Sequence, residues 1–510
     1  MTLMWIVLAV YLLIVAGIAY FAYQKSSPSV EDYFLQSRGV GTFALALTLF
    51  ATIASAFFYL GIGGAMAGHG VPFMAVGLWQ FFTVLAMLYI GTRLWKLAKA
   101  FKFITPADLL SHYYEDNKIV RAAIPIIFML GAFPFMILQM RGAGLSLEVL
   151  TDGDLSSTTG ITLFTVLALA YVLVGGVRAV VWTDVFQGVY FGGLVVVVFL
   201  AIIFVIVPAG NIESVWGGIE QTKSEMMTFP GGRGAFAWGL MLSLVVFTGI
   251  ANIGQPAVFQ RFFMAKSVKT IRQSAVLYGI IIVPLIYLLL YMTLAGIQLV
   301  EPPQPDMLFP TLLGQFTPVL AAFFIAGVVA AGMSTVDSLL VSLSSMVTVD
   351  YAQKLFGYQP SQQQAVMMGR IFIVIVSIIA FVLALTSTKA LVDLALLQVG
   401  FASCVMVPLI GPMLWKRAST AGAVAALIIG PLAVAAFAFS WTETFGFDVK
   451  GLLGFNQNLW GPVVAIVVFV VVSLISPAVN ADRQAQFRSA LRGSGEDSAG
   501  AGEAAQQPAE

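Results

Sequence analysis

The chain alternates long apolar stretches with short polar breaks. Thirteen stretches reach the roughly 20 residues a helix needs to cross the hydrocarbon core of a bilayer. They run 3–23, 43–68, 71–94, 122–145, 158–176, 182–207, 236–261, 274–298, 316–347, 367–387, 391–414, 420–440 and 459–479. Charges, prolines and Asn/Asp/Gly clusters fill the breaks, as loops require. The first stretch, Leu3 to Tyr23, has no positive charge before it and no small-residue cleavage site after it. It therefore reads as a retained span and not as a signal peptide. The pattern predicts an all-α polytopic membrane protein with thirteen transmembrane helices.

Composition supports the pattern. Of 510 residues, 60% are hydrophobic and only 10% are charged, against about 25% charged in soluble proteins. Mean hydropathy is +0.96. So few charges cannot clothe a water-facing surface, which excludes a soluble multidomain enzyme. A net charge of +1 gives no basic face for nucleic acid. One cysteine, Cys404, and two histidines, His69 and His112, leave no disulfide framework and no histidine- or cysteine-rich metal site. No nucleophile–base constellation stands out, so the chain does not read as an enzyme.

Charge then sets orientation. With an odd number of spans and the N-terminus outside, 20 of the 25 Lys and Arg residues fall on the inner side. The other five are Arg141, Lys223, Arg233, Lys389 and Lys450. This places the C-terminus in the cytoplasm. Residues 482–510 are small and polar, ending in GSGEDSAGAGEAAQQPAE, and read as a disordered tail.

Polar groups inside a membrane are costly and mark function. The second span contains Thr52, Ser55, Gly61, Gly63 and Gly64 in FATIASAFFYLGIGG. These residues form either a packing seam between helices or an unwound segment whose carbonyls bind an ion. The seventh span carries Gly249, Asn252, Gly254 and Pro256, a second point of breakage. The two breaks lie five spans apart and start in opposite orientations. That is the spacing of a five-plus-five inverted repeat led by a broken helix in each half. The units expected are 1–41 (an extra N-terminal span and inner loop), 42–235 (first repeat), 236–415 (second repeat), 416–481 (two C-terminal spans) and the tail.

In the ninth span, Ala331, Ser334, Thr335 and Ser338 share one helical face, continued by Ser342 and Ser345, which forms either a polar packing stripe whose hydroxyls bond their own helix backbone or an ion site. Asp337 adds a carboxylate suited to a cavity, a cation or a basic partner. Oxygen ligands of these kinds suit a hard monovalent cation, commonly sodium. Asp184, in GGVRAVVWTDVFQG, either pairs with Arg178 at the surface or completes an ion path with Thr183 and Gln187.

Four ordered patterns, EDYFLQSRGVG, GGVRAVVWTDVFQG, QPAVFQRFFMAKS and MSTVDSLLVSLSS, resemble the sodium/solute symporter family over about residues 3–480. That family includes bacterial carriers of proline, pantothenate, monocarboxylates, sialic acid and sugars. The resemblance implies a LeuT-type fold in the bacterial inner membrane, with spans 2–6 and 7–11 as the inverted repeat. It implies a sodium ion held by the carbonyls of Ala51, Ala54 and Ala331 and the hydroxyls of Ser334 and Thr335. It also implies a second cation position, as in some members, at Asp184, Ser334 and Ser338. Asp337 stands where some members have serine.

Phe58, Gln80, Gln139, Arg141, Thr248, Asn252 and Gln398 are the residues expected to project into the central cavity. Phe57, Phe58 and Tyr59 would make it mainly apolar, which disfavours a polyhydroxylated sugar. Arg141 suits a carboxylate or else snorkels to the outer interface. The expectation is a sodium-coupled symporter importing a small organic acid, working in lipid without organic cofactor or obligatory protein partner. The rivals are a proton-coupled or uncoupled carrier on the same fold and a transporter-like sensor.

Overall fold

A computed structural model describes residues 2–25, 29–207, 217–221, 224–228, 241, 244–438 and 459–492. Lys223, Arg233, Lys450 and the tail beyond Arg492 lie outside the described residues. Within them the fold is helical, its one bridge pairing Val40 with Ala265.

Ten helices are long and apolar enough to cross a membrane. They are α1 (Thr2–Gln24), α2 (Thr42–His69), α3 (Val71–Phe101), α5 (Lys118–Leu150), α7 (Gly176–Ile206), α10 (Val268–Leu299), α11 (Pro318–Leu355), α12 (Gln362–Thr386), α13 (Leu391–Leu414) and α14 (Thr420–Ala438). Three shorter apolar helices, α6 (Ser157–Ala170), α8 (Leu244–Gly254) and α15 (Trp460–Ile475), coincide with the remaining expected spans. Shorter helices include α4 (Pro106–Tyr113), α9 (Pro256–Met264) and α16 (Ala481–Arg492).

Local chemistry sets the helix ends. Thr105 caps α4 ahead of Pro106, Asn117 caps α5, and Ser267 caps α10. Ser361 and Gln364 form a capping box at the start of α12. Burial sorts the helices by depth. In α2, α11 and α13, 83% of the most apolar window is buried, against 28% in α1 and α12. The first three form the core, and the last two turn apolar surface outward to where lipid would lie.

Both expected breaks are present, one of them displaced. Between α8 and α9 the chain leaves the helix at Gln255 (φ −63°, ψ 136°) and re-enters at Pro256. In α2 the break is at Ser55 (φ 60°, ψ −179°) and not at the glycines. Gly63 and Gly64 are instead a packing seam. A Cβ on Gly63 would lie 2.7 Å from the Phe309 ring, and one on Gly64 would lie 2.7 Å from the Asp306 backbone.

The segment from residue 482 also differs from expectation. Ala481–Arg492 is a helix, α16, docked against α3 and α4. Phe487 is buried with its ring 4.7 Å from that of Tyr113, and Lys96 donates to the Leu491 carbonyl. The Phe487 anchor, the Lys96 bond to the main chain and an Arg483–Asp116 ion pair at 3.0 Å order a stretch whose composition alone could not.

Candidate functional site

The break in α2 frees backbone oxygens. In an unbroken helix the Thr52 carbonyl would accept from the Ala56 N–H, but that N–H donates to Gln139 Oε1 of α5 at 2.8 Å. The Phe57 N–H is met by Ser55 Oγ at 3.2 Å. Gln139, expected in the cavity wall, is therefore a strut for the break.

α11 supplies the facing side. Ser334 Oγ lies 2.9 Å from the Ala51 carbonyl oxygen and 3.0 Å from that of Ala331. Thr335 Oγ1 lies 3.3 Å from the Thr52 carbonyl oxygen and 3.1 Å from that of Ala331. All of these residues are buried. Two hydroxyls and three carbonyls thus converge between the broken helix and α11. They form a set of uncharged oxygens that fits a sodium ion. Ala54 lies in the same freed stretch, where its carbonyl accepts from the Phe57 N–H. Thr52 was not anticipated as a ligand, because which carbonyls are released depends on where the break falls.

Asp184 and Arg178 do not pair. Arg178 donates to Asp32 at 2.6 Å, while Asp184 is fully buried and accepts from Arg261 at 3.1 Å and from the Thr48 hydroxyl. Arg261 also donates to Ser338 Oγ at 2.6 Å and to Thr48 Oγ1 at 2.8 Å. The sequence reading counts Arg261 with the loop charges on the inner side, yet it is only 1% exposed. The sign of its role was an arginine sitting between apolar residues in VFQRFF. Gln187 is turned away from an ion path and donates to the Tyr11 hydroxyl at 2.7 Å. Asp337 is buried one turn beyond Met333, which Tyr11 of α1 contacts.

A cavity of about 50 Å³ opens beside the break, room for a few waters at roughly 10–15 Å³ each. Of the expected wall residues, Phe58, Gln80, Thr248, Asn252 and Gln398 line it, joined by Ile53, Ala54, Phe57, Phe73, Trp79, Phe135 and Gln255 among others. Arg141 is not among them. It donates to the Lys389 carbonyl, in the loop before α13. Arg141 follows Phe135 by six positions, between one and two turns further along α5, which carries its side chain past the cavity. Tyr278 holds Gln80 Oε1 at 2.5 Å, and Asn252 donates to Thr83 at 3.1 Å. No charged side chain lines the cavity. Three polar atoms of its wall are buried without a hydrogen-bond partner among the described residues: Trp79 Nε1, Thr248 Oγ1 and Gln255 Oε1.

Toward the basic end of the molecule, Arg121 bridges Asp108 at 3.0 Å and Asp350 at 3.2 Å, and Lys354 joins Asp108. This network ties α4 and α5 to the end of α11.

A multi-pass membrane protein with two broken helices, an uncharged oxygen cluster at one break and a small, mainly apolar cavity with a few polar groups beside it is built as an ion-and-solute carrier. Comparison with known proteins agrees. The model of the sodium:solute symporter family matches residues 33–430. The osmoregulated proline transporter of Bacillus subtilis is 26% identical over 92% of this chain and 94% of its own. The sodium/pantothenate symporter of Escherichia coli is 28% identical over 86% and 91%. Among solved structures, a Na+-coupled sialic acid symporter in its substrate-bound outward-open state superposes with a TM-score of 0.78. It is 19% identical and covers 93% of this chain and 98% of its own. A nucleobase-cation-symport-1 family transporter in a closed conformation gives a TM-score of 0.54 at 14% identity, covering 89% and 97%. The chain belongs to the sodium:solute symporter family, whose members are membrane transporters and not enzymes.

Proposed function

We propose that the protein is a sodium-coupled symporter that imports a small, amino-acid-like carboxylate by alternating access. The observation that carries this is the double use of residues 51–54. The Ala51 and Thr52 carbonyls face Ser334 and Thr335, while Ile53 and Ala54 line the cavity. The last turn of α2 before the break at Ser55 therefore belongs to both sites. Sodium, a co-transported substrate, would be held by the hydroxyls of Ser334 and Thr335 with the carbonyls of Ala51, Thr52, Ala54 and Ala331. Holding these oxygens together fixes α2 against α11, and with them the cavity wall. A cation can shift the conformational balance only through such a difference in affinity between states. The hydroxyls and carbonyls of this cluster do not titrate near neutral pH, which favours sodium over a proton at this place.

The polar atoms of the cavity suggest the solute class. Trp79 Nε1 offers a donor, Gln255 Oε1 an acceptor and Thr248 either. A zwitterion or an amide-bearing acid supplies a partner for each, whereas a lone carboxylate would face no counter-charge. The relatives' names add proline and pantothenate as first solutes to try. We place thirteen spans in the protein, ten of them in two repeats, 42–235 and 236–415, with the N-terminus outside and the C-terminus in the cytoplasm of the bacterial cell.

The test is a thermal-shift panel of proline, pantothenate, a monocarboxylate and a hexose, with sodium or with potassium. An acid-bearing solute should stabilise the protein in sodium only. Stabilisation by the hexose alone, or equal shifts in potassium, would contradict the reading.

A further inference from the structure

Beside the oxygen cluster at the α2 break lies a second polar chamber, which the family resemblance would assign to a second sodium ion at Asp184, Ser334 and Ser338. Its residues do not fit an added ion. The guanidinium of Arg261 already sits among them, within hydrogen-bond distance of Asp184 (3.1 Å), Ser338 (2.6 Å) and Thr48 (2.8 Å). These three partners come from α7, α11 and α2, and Arg261 itself from α9, so one side chain ties four helices. Ser334 is turned toward Ala51 and Ala331.

We propose that Arg261 is a tethered cation that takes the place of a second sodium ion, so that this transporter binds one sodium per polypeptide.

Charge and space both stand against a second ion. Asp184 and Arg261 are both essentially excluded from solvent and neutralise one another. Adding a sodium ion would place an excess charge in the same low-dielectric chamber, a cost several times that of an ordinary polar contact. Arginine remains charged at any pH a protein survives. The chamber therefore keeps its cation permanently and cannot be vacated by titration. Placement adds a consequence for the other site. Thr52 Oγ1 and Ser338 Oγ are 3.3 Å apart, so a hydroxyl contact joins the two chambers. An ion held at Ser334 and Thr335 has the guanidinium as its neighbour one turn further along α11.

The inference rests on the sodium reading of the first cluster, and counting ions separates the two. Radioactive sodium alone, without solute, would be titrated onto the purified protein. Wild type should bind one sodium, Arg261→Gln two, and Arg261→Gln with Asp184→Asn one again, because the carboxylate that recruits the extra ion has gone. Two ions on wild type, or one on a folded Arg261→Gln, would overturn the proposal. No ion on wild type with one on Arg261→Gln would overturn the count of one sodium per polypeptide by sinking the sodium reading of the first cluster, while showing that Arg261 fills the second chamber. No ion on either would sink both. Should Arg261→Gln fail to fold, the wild-type count decides: one supports the proposal and two overturns it.

Discussion

Ser334 Oγ stands 2.9 Å from the carbonyl oxygen of Ala51, joining α11 to the stretch of α2 where the helical ladder has been opened. Ser334→Ala and Thr335→Ala should each raise the half-saturating sodium concentration about tenfold or more, roughly 1.4 kcal/mol per decade. The measurement is the sodium dependence of thermal stabilisation without solute. Unchanged midpoints in both variants would remove these hydroxyls from the ion site.

Gln139 holds the break open by accepting the Ala56 N–H. Gln139→Leu should cost about 1–3 kcal/mol, the penalty for stranding a buried donor, and should weaken sodium stabilisation as well. Gln139→Glu, which keeps an acceptor at that place, should retain more of the sodium effect. Loss of stability with sodium affinity intact would mean the strut serves packing alone.

Arg141 lies outside the cavity and donates to the Lys389 carbonyl. Arg141→Lys should therefore carry solute with an apparent affinity within about threefold of wild type, since a lysine can also reach a carbonyl or the interface. A severe loss would restore the carboxylate clamp that a basic residue within a span first suggests.

Arg121 is the hinge of a buried charge network with Asp108 and Asp350. Removing one partner leaves uncompensated carboxylates, so Arg121→Met should destabilise by about 3–5 kcal/mol. A chemical or thermal denaturation series in detergent would measure it. A change below about 1 kcal/mol would place the network among solvent-screened pairs.

Asp306, between α10 and α11, is pushed up to about 6 by burial, against the opposing pull of the Leu391 N–H and Arg141. A carboxyl raised on folding binds more protons in the folded state across the interval from its ordinary value, about 4, to about 6. Stability should then rise as the pH falls from about 6 to 4, and fall as the pH is raised through the same window. Asp306→Asn should flatten that segment of a melting-temperature profile. An unchanged slope would remove Asp306 as its source.

Much of the fold was legible because lipid imposes a length rule, and stretches of about 20 apolar residues write it openly. Pro256 announced its own break, since proline cannot donate a helical hydrogen bond. Ser55 could not, because a positive φ at serine has no sequence sign and its strut, Gln139, comes from another helix. The hydroxyl face of α11 was readable from periodicity, whereas the Thr52 carbonyl depended on where α2 opens. Arg261 was misplaced because the next basic residues in sequence, Lys266 and Lys269, stand in the short break and the first turn of α10 that follow α9. α16 was missed because two apolar side chains, Phe487 and Leu491, outweigh ten polar or small companions only once α3 and α4 are there to receive them.

The central claim, that a sodium gradient drives solute through this site, is tested most directly by uptake into proteoliposomes of the solute found in the thermal-shift panel. Internal and external pH would be held equal while sodium or potassium is supplied outside. The account predicts accumulation with an inward sodium gradient, none with potassium, and loss of the sodium response in the Ser334→Ala, Thr335→Ala double variant. Accumulation that persists in potassium and follows an imposed proton gradient would contradict it.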